Sequence, residues 1–386
     1  MDCRKKRDLT YETGPIRPPN EAMSLLLRVS RNCPWNRCTF CNIYEGKTFE
    51  ARSTEDICND IDSMYNISEL LKKETKNQNT GGRITYEVLM ALQEKKISPQ
   101  LSHQVALFLG GGGKNVFLQD ANSLEVPSDT IVEILSHLYE KFPTIKRVTS
   151  YARSMTLKKL GVDKLAALQK AGLTRLHVGL ESGSDEVLKM IKKGVLGKHH
   201  IEGGRAAIEA GLDLSEYVMP GVGGKENSKV HATETARVLN SINPHFIRLR
   251  SYFPMPGSEL AKDFASGKLT FLSEDKLVLE IRKLIAGLDG ITSQLKSDHD
   301  RNLLMEVEGQ FPQDKQAMLD VIDEYLDMKD EKRQVFRIGR RLGHFRNLSD
   351  INIAENYYAA KQATDELNER FGDADKGLLK IMPVSM

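Results

Sequence analysis

The sequence has no uninterrupted apolar run of the roughly 20 residues that a membrane-spanning helix needs. It also has no excess of either charge, because 55 basic and 53 acidic residues leave a formal net charge of +2. Bulk charge therefore indicates no polyanionic partner. The basic start, Met1 to Arg7, is followed by no apolar signal-peptide core. These absences predict a cytoplasmic protein without a membrane span.

Cysteine is scarce, and its distribution argues against a disulfide-stapled fold. The chain has five cysteines, an odd number, without the spacing of a disulfide framework. Cys3 and Cys58 lie far from each other and from the other three, and Cys58 falls in a helical pattern, where we interpret it as a small buried residue. A reducing compartment is consistent with thiols that are kept for a metal.

The other three cysteines lie in one nonapeptide, Cys33-Pro34-Trp35-Asn36-Arg37-Cys38-Thr39-Phe40-Cys41. It directly follows an apolar run that predicts a buried strand, Met23 to Val29. Three thiolates on one loop favour an iron–sulfur cluster with one iron open to another ligand. A closed zinc site requires four protein ligands, and no histidine follows until His103. A zinc-stabilised binding module is the alternative.

Strand and helix patterns alternate along most of the chain. A polar, Pro-rich arm at 1–20 comes first, and 271–386 is mostly helical. Between them, at 21–270, about six strand–helix repeats predict an α/β domain with a parallel sheet that is closed or partly closed into a barrel. In such barrels the chemistry takes place at the carboxyl ends of the strands, and the cysteine loop follows the first strand.

Several later motifs, together with the cysteine loop, resemble one superfamily over roughly residues 22 to 260. The motifs are Leu173 to Ser184 followed by Val187 to Gly194, Met219 to Gly224, and Pro254 to Ser258. Their order and spacing are similar to the coproporphyrinogen-oxidase-like, elongator-like and methylthiotransferase-like branch of the radical S-adenosylmethionine (radical SAM) enzymes. One difference is that four residues separate Cys33 from Cys38, where the superfamily usually has three.

The resemblance implies a partial (β/α)6 barrel with a helical C-terminal extension, and a [4Fe–4S] cluster held by Cys33, Cys38 and Cys41. The open iron would chelate S-adenosylmethionine. An electron from a flavodoxin-type or ferredoxin-type reducing partner would then cleave it to a 5′-deoxyadenosyl radical. The reaction would be hydrogen abstraction from a substrate.

The resemblance also implies contacts with S-adenosylmethionine, residue by residue. These are Asp120 or Asn122 for the amino group, Glu181 and Ser182 for the ribose or methionyl end, Lys193 or Arg153 for the carboxylate, Glu216 for ribose, and Val222 and the backbone around Phe40 for adenine. Two structural alternatives remain open. Glu181 could form a salt bridge with Arg153, and Lys193 could be a helix C-terminal charge.

Three segments have two interpretations each. In the segment 297–302, Asp298 either caps a helix start or joins His299 as a catalytic candidate. The basic segment 332–346 is either a solvated helix face or a dock for an anionic substrate or RNA. The glycine run 110–113 is interpreted as a helix terminator, because it lacks the Ser or Thr of a phosphate loop.

The leading function is therefore a radical SAM enzyme acting on a small molecule, lipid or peptide. A methylthiotransferase is disfavoured, because five cysteines cannot build a second three-cysteine cluster. The alternatives are a non-catalytic heme or iron–sulfur carrier on the same fold and an RNA-modifying radical SAM enzyme.

Overall fold

The computed structural model describes residues 9–381, apart from the side chain of Leu379. Cys3 and the start of the predicted arm at 1–20 lie outside the described residues. The strands of the described part are β1 Leu25–Arg28, β2 Ser30–Arg31, β3 Glu50–Ala51, β4 Asn115–Gln119, β5 Arg147–Ala152, β6 Arg175–Glu181, β7 Asp213–Val218, β8 Phe246–Leu249, β9 Gln294–Lys296 and β10 Gly309–Gln310.

The helices alternate with the strands up to β8 and then dominate. Their bounds are α1 Thr54–Asn77, α2 Tyr86–Glu94, α3 Pro99–Gly110, α4 Ser128–Lys141, α5 Ser154–Lys170, α6 Asp185–Met190, α7 Gly197–Glu209, α8 Gly224–Ile242, α9 Glu259–Ala265, α10 Glu274–Gly287, α11 Lys315–Asp327, α12 Asp330–Leu342, α13 Ala354–Phe371 and α14 Ala374–Ile381. Among residues 9–381, no helix combines the length and the apolar character that crossing a membrane requires.

Eight strands form one mostly parallel sheet, in the order β1, β4, β5, β6, β7, β8, β9, β10. This order follows the chain, as expected for consecutive strand–helix repeats. The predicted α/β class with a helical C-terminal extension is confirmed. The short strands β9 and β10 were not predicted, because three and two residues are too few to show a period.

The chain divides into two compact units. The first unit comprises the residues up to Asn36, Ile43–Val178 and Ala206–Leu214, and the second comprises Arg37–Asn42, Gly179–Arg205 and all residues from Ser215. Strands β1, β4, β5 and most of β6 pair in parallel within the first unit. Strands β7, β8 and β9 pair in parallel within the second, where β10 is antiparallel to β9. The predicted domain boundary at 270 stays a prediction.

Local sequence signals set several helix ends. The hydroxyl of Ser53 accepts a hydrogen bond from the amide of Asp56 at 3.1 Å, which caps α1. Helix α3 ends at Gly110, and the glycines that follow include Gly112 and Gly113 with φ of 87° and 66°. Residues that carry a side chain rarely adopt these backbone angles, whereas glycine does so readily. The interpretation of the glycine run as a helix terminator is therefore confirmed.

The basic segment 332–346 is not one continuous helix. Helix α12 ends at Leu342 because Gly343 adopts a left-handed conformation with φ of 85°. Leu342, the last residue of this helix, is 40% exposed. Phe345 is buried, but it lies beyond the helix.

Candidate functional site

The first part of the cysteine loop turns sharply at Asn36, which has a left-handed φ of 46°. The amide of Asn36 donates to the Cys33 Sγ atom at 3.4 Å. Its side-chain nitrogen donates to the carbonyl of Tyr44 and, at 3.1 Å, to that of Lys47. Asparagine tolerates this conformation better than most residues. The turn lies between Cys33 and Cys38, where four residues separate the two cysteines.

Asp120 directly follows β4 and holds the cysteine loop through residues on either side of it, Asn32 and Tyr44. Its carboxylate accepts hydrogen bonds from the Arg28 Nε at 2.7 Å and from the Asn32 amide at 3.3 Å. The Tyr44 hydroxyl donates to its other oxygen. Burial raises the pKa of the Tyr44 phenol, which keeps this donor protonated. Asp120 is fully buried, and both of its oxygens are used by the protein.

Asn122 and Arg153 also have partners within the first unit. The Asn122 amide donates to the Thr156 hydroxyl at 2.8 Å and accepts from the Arg153 backbone amide at 3.2 Å. The Arg153 guanidinium lies 4.9 Å from the ring centroid of Trp35. A cation over an indole face is stabilised by the ring's quadrupole. Arg153 therefore reaches the cysteine loop through Trp35.

The second part of the loop, Arg37–Asn42, belongs to the second unit. The Thr39 amide donates to the Ile191 carbonyl at 3.0 Å, and the Thr39 carbonyl accepts from the Leu260 amide at 2.8 Å. The Asn42 side chain donates to the Pro256 carbonyl at 2.8 Å. Backbone after β6 and after β8 thus fixes the stretch that carries Cys38 and Cys41.

Three of the predicted cofactor-binding residues are neighbours in the second unit. The Lys193 Nζ atom is 2.8 Å from a Glu181 carboxylate oxygen and 5.6 Å from the centroid of the Phe40 ring. Both charged side chains are buried. Glu181 has a left-handed φ of 60°, which is costly for a glutamate and is typical of functional sites. A cation, an anion and an aromatic ring thus converge at the end of β6.

Ser182 belongs to a buried hydrogen-bond network that the sequence analysis did not predict. Its hydroxyl is 2.8 Å from the His231 Nδ1 atom, and the His231 Nε2 atom is 3.6 Å from a Glu280 oxygen. The same oxygen accepts from the Gly221 amide at 2.7 Å, beside the fully buried Val222. Burial lowers the pKa of His231. Because these side chains are buried, we assign His231 and Glu280 to holding Ser182 and the glycine turn in place.

Glu216 has no such partners. It is fully buried in β7, and neither carboxylate oxygen accepts a hydrogen bond from the described residues. Burial, with a smaller contribution from the charge of Glu181, raises its pKa well above the usual range, which favours the protonated carboxyl group. It lies opposite Ile247 in the sheet, whereas Tyr217 lies opposite Arg248. Glu216 and Tyr217 therefore point to opposite faces.

The segment 297–302 is irregular, so its interpretation as a capped helix start is wrong. Asp298 accepts instead from the guanidinium groups of Arg248 and Arg250, at 2.5 and 2.8 Å. Burial, followed by the charge of Arg250, lowers the pKa of His299 to about 4. His299 is therefore neutral at pH 7.

The four described cysteines, Cys33, Cys38, Cys41 and Cys58, are half-buried and form no disulfide with one another. Among the described residues, no three Cys, His, Asp or Glu side chains are grouped closely enough to hold a metal ion. The donor set nonetheless suits a cluster, because three soft thiols lie on one nine-residue loop. The unsatisfied Glu216 and the Glu181–Lys193 pair are polar groups of the kind that would bind a zwitterionic, hydroxyl-bearing cofactor.

Residues 27–234 match the family model of the radical SAM superfamily. The match covers more than half of the chain, and the chain belongs to this superfamily of enzymes. Its members use a [4Fe–4S] cluster and S-adenosylmethionine. The predicted family, enzyme class and cofactors are confirmed.

Comparisons with individual proteins are weaker. No curated protein matches the chain. Among solved structures, archaeal Methanocaldococcus infernus Elp3 is 16% identical over 52% of this chain and 52% of that chain, with a TM-score of 0.41. Methylornithine synthase (PylB) is 15% identical over 72% and 66%, with a TM-score of 0.43. Coproporphyrinogen III oxidase (HemN) from Escherichia coli is 15% identical over 68% and 51%, with a TM-score of 0.42.

The chain therefore spans about half to two thirds of the length of these proteins. At such identities and TM-scores, the superfamily assignment rests on the family model alone. The particular branch stays a prediction.

Proposed function

We propose that this chain binds a [4Fe–4S] cluster through Cys33, Cys38 and Cys41 and uses it to cleave S-adenosylmethionine reductively. The observation that carries the proposal is the three-thiol nonapeptide inside the stretch matched by the family model, residues 27–234. When bound, the cluster and S-adenosylmethionine supply a 5′-deoxyadenosyl radical that removes a hydrogen atom from the substrate. The chain's own residues position these groups and exclude water.

The Phe40–Lys193–Glu181 cluster is the proposed binding site for the methionyl end of the cofactor. Lys193 offers a buried cation to the carboxylate, and Glu181 offers an anion to the amino group or ribose. The two already neutralise each other, so a zwitterion can exchange partners with them without leaving a buried charge unpaired. Arg153, stacked on Trp35, is a further candidate for the carboxylate.

Ser182, Glu216 and Val222 are proposed to bind the nucleoside end. Burial favours the protonated form of the Glu216 carboxyl group, which can both donate to and accept from a ribose hydroxyl. Asp120 and Asn122 remain candidates for the amino group only if they exchange their present partners, because their oxygens already accept from Arg28, Tyr44 and the Arg153 amide. We assign them chiefly to fixing the loop.

The substrate is proposed to be a small molecule, lipid or peptide rather than RNA. The free positive charge of the basic segment 332–346 is reduced, because three of its six basic residues are paired with acids of the same unit. The pairs are Arg333 with Asp275, Arg337 with Asp375 and Arg341 with Glu274. A flavodoxin-type or ferredoxin-type reductant and a cytoplasmic location belong to the same proposal.

Cofactor cleavage tests the proposal directly. The anaerobically reconstituted protein, reduced with dithionite, should convert S-adenosylmethionine to 5′-deoxyadenosine, measured by liquid chromatography and mass spectrometry. Cys38→Ala should lose more than about 99% of this activity, since it removes a cluster ligand. Cys58→Ala is the matched control, because burial raises the pKa of the Cys58 thiol and makes it a poor ligand. A fully loaded wild-type cluster without product would refute the proposal.

A further inference from the structure

Two arginines converge at the end of strand β8 in the second unit. Arg248 and Arg250 are two residues apart in an extended stretch, so their side chains project from the same face. Tyr217 lies opposite Arg248 in the neighbouring strand. The Arg250 guanidinium carbon is 5.0 Å from the centroid of the Tyr217 ring. The two cations therefore lie at the carboxyl end of a parallel strand, where α/β enzymes bind their substrates.

The charge of this cluster is not balanced. Among residues 9–381, Asp298 is the single carboxylate that contacts both guanidinium groups, at 2.5 and 2.8 Å. The Arg248 and Arg250 side chains are only 8% and 11% exposed, whereas the Asp298 side chain is 35% exposed. One positive charge is left over in a largely buried place, and the cluster opens to solvent beside Asp298. Buried charges are ordinarily paired.

Three nitrogen atoms of the cluster also lack partners. The Arg248 Nε, Arg250 Nη2 and His299 Nδ1 atoms are buried and have no hydrogen-bond partner among the described residues. A charged donor that is buried without an acceptor is unfavourable. The ion pairs with Asp298 explain how the two arginines are held in position. They do not explain why these three buried nitrogen atoms have no acceptor. An oxyanion would supply both the missing negative charge and the missing acceptors.

We propose that Arg248, Arg250 and His299 form a binding site for an anionic group of the substrate, a carboxylate or a phosphate. Asp298 holds the two arginines in position. The guanidinium fork matches the geometry of both oxyanions. The inference rests on the proposed function, because it names the substrate class of that enzyme. These residues all lie outside the segment matched by the family model, 27–234, as expected for groups that recognise a particular substrate.

His299 responds to an occupant of this site. Its imidazole faces Arg250 and Arg301, which lower its pKa, and Asp298 and Asp300, which raise it. A bound anion adds a negative charge beside the ring and raises that pKa. His299 then gains a proton more readily, which would strengthen the binding of the anion as pH falls.

Calorimetric titration of the reconstituted protein with inorganic phosphate and with succinate tests the site. At least one anion should bind with a dissociation constant on the order of 1 mM. The variants Arg250→Gln and His299→Asn should each weaken the binding of that anion at least tenfold, which is about 1.4 kcal/mol. Arg282→Gln is the control, because it removes an arginine from a half-exposed pair with Asp323 and should bind like wild type.

Tighter binding of phosphate indicates a phosphorylated substrate, and tighter binding of succinate indicates a carboxylate. If Arg250→Gln does not fold, as judged by circular dichroism, His299→Asn decides the test. The inference is overturned if neither anion binds to the wild-type protein, or if the folded variants bind as tightly as wild type. Cofactor cleavage without anion binding contradicts this inference alone, and anion binding without cleavage contradicts the proposed function alone.

Discussion

Asp120 and Glu216 are both fully buried carboxyl groups, yet their surroundings differ completely. Asp120 accepts from a cation, a phenol and a backbone amide. Glu216 accepts from no described residue, and burial raises its pKa well above the ordinary range. A partnered buried carboxylate stabilises a particular arrangement of chain, whereas an unpartnered one is available to a ligand. The two residues therefore have separate roles at the site.

Asp120→Asn should loosen the cysteine loop. The amide keeps the shape of the side chain but leaves the Arg28 cation with only Glu12 as a carboxylate partner. We expect a loss of about 2–3 kcal/mol in the free energy of unfolding, measured by denaturant titration. Iron bound per chain after reconstitution should fall as well. Asp62→Asn, in a half-exposed pair with Lys141, should change stability by less than about 1 kcal/mol and leave iron content unchanged. Equal iron content in both variants would contradict the anchoring role.

Glu216→Gln should remove a pH-dependent loss of stability. The pKa of Glu216 is higher in the folded than in the unfolded chain. Its contribution to folding stability is therefore fully present below the ordinary carboxyl pKa. That contribution is lost as pH rises through the folded-state pKa, and glutamine has no proton to lose. The variant should therefore melt above wild type at pH 8, by on the order of 2 °C, with the difference vanishing towards pH 5. A pH-independent difference, like that expected for the exposed control Glu209→Gln, would contradict the assignment.

At the scale of elements, helix α8 positions the turn that follows β6. The Gly183 amide donates to the Thr235 hydroxyl of α8 at 2.9 Å, and His231 of the same helix contacts Ser182. A Cβ atom on Gly183 would lie 2.3 Å from the Glu234 carbonyl oxygen. The backbone of α8 cannot move aside to relieve this clash as easily as a flexible side chain could. The glycine therefore permits the close approach that places Ser182.

Gly183→Ala should separate the β6 turn from α8. We expect it to lower the free energy of unfolding by about 1–3 kcal/mol, the usual cost of overpacking, and to reduce S-adenosylmethionine binding more than iron content. Denaturant titration and equilibrium binding measure the two effects. Gly110→Ala is the control, because its added Cβ would come no closer than 3.7 Å to a neighbour. Wild-type stability in Gly183→Ala would show that the helix can move away.

The sequence predicted the elements better than it predicted the contacts. The alternation of apolar strands with helices was sufficient for the α/β class, and the glycines after α3 were sufficient for that helix end. The ion pairs of Arg28 with Asp120 and of Arg248 with Asp298 join residues 92 and 50 positions apart, and no local period reveals such a pair. The Ser182–His231–Glu280 network was missed for the same reason. Asp298 was misjudged because an acid before a polar run resembles a helix cap.

At the scale of the whole molecule, the superfamily match and the cysteine loop define the same chemistry. The match spans both units, since residues 27–234 include parts of each. The proposed anion site lies beyond the matched segment, in the part of the second unit that includes β8 and the residues after β9. The common cofactor chemistry and the recognition of a particular substrate are therefore assigned to different parts of the sequence.

The most direct test of this account is electron paramagnetic resonance of the reduced, reconstituted protein with and without S-adenosylmethionine. Three cysteine ligands leave one iron open, so the account predicts a [4Fe–4S] signal whose g values shift when S-adenosylmethionine is added. The shift should persist in Cys58→Ala, and the signal should be absent in Cys33→Ala. A cluster signal that S-adenosylmethionine leaves unchanged, or zinc in place of iron, would contradict the central claim.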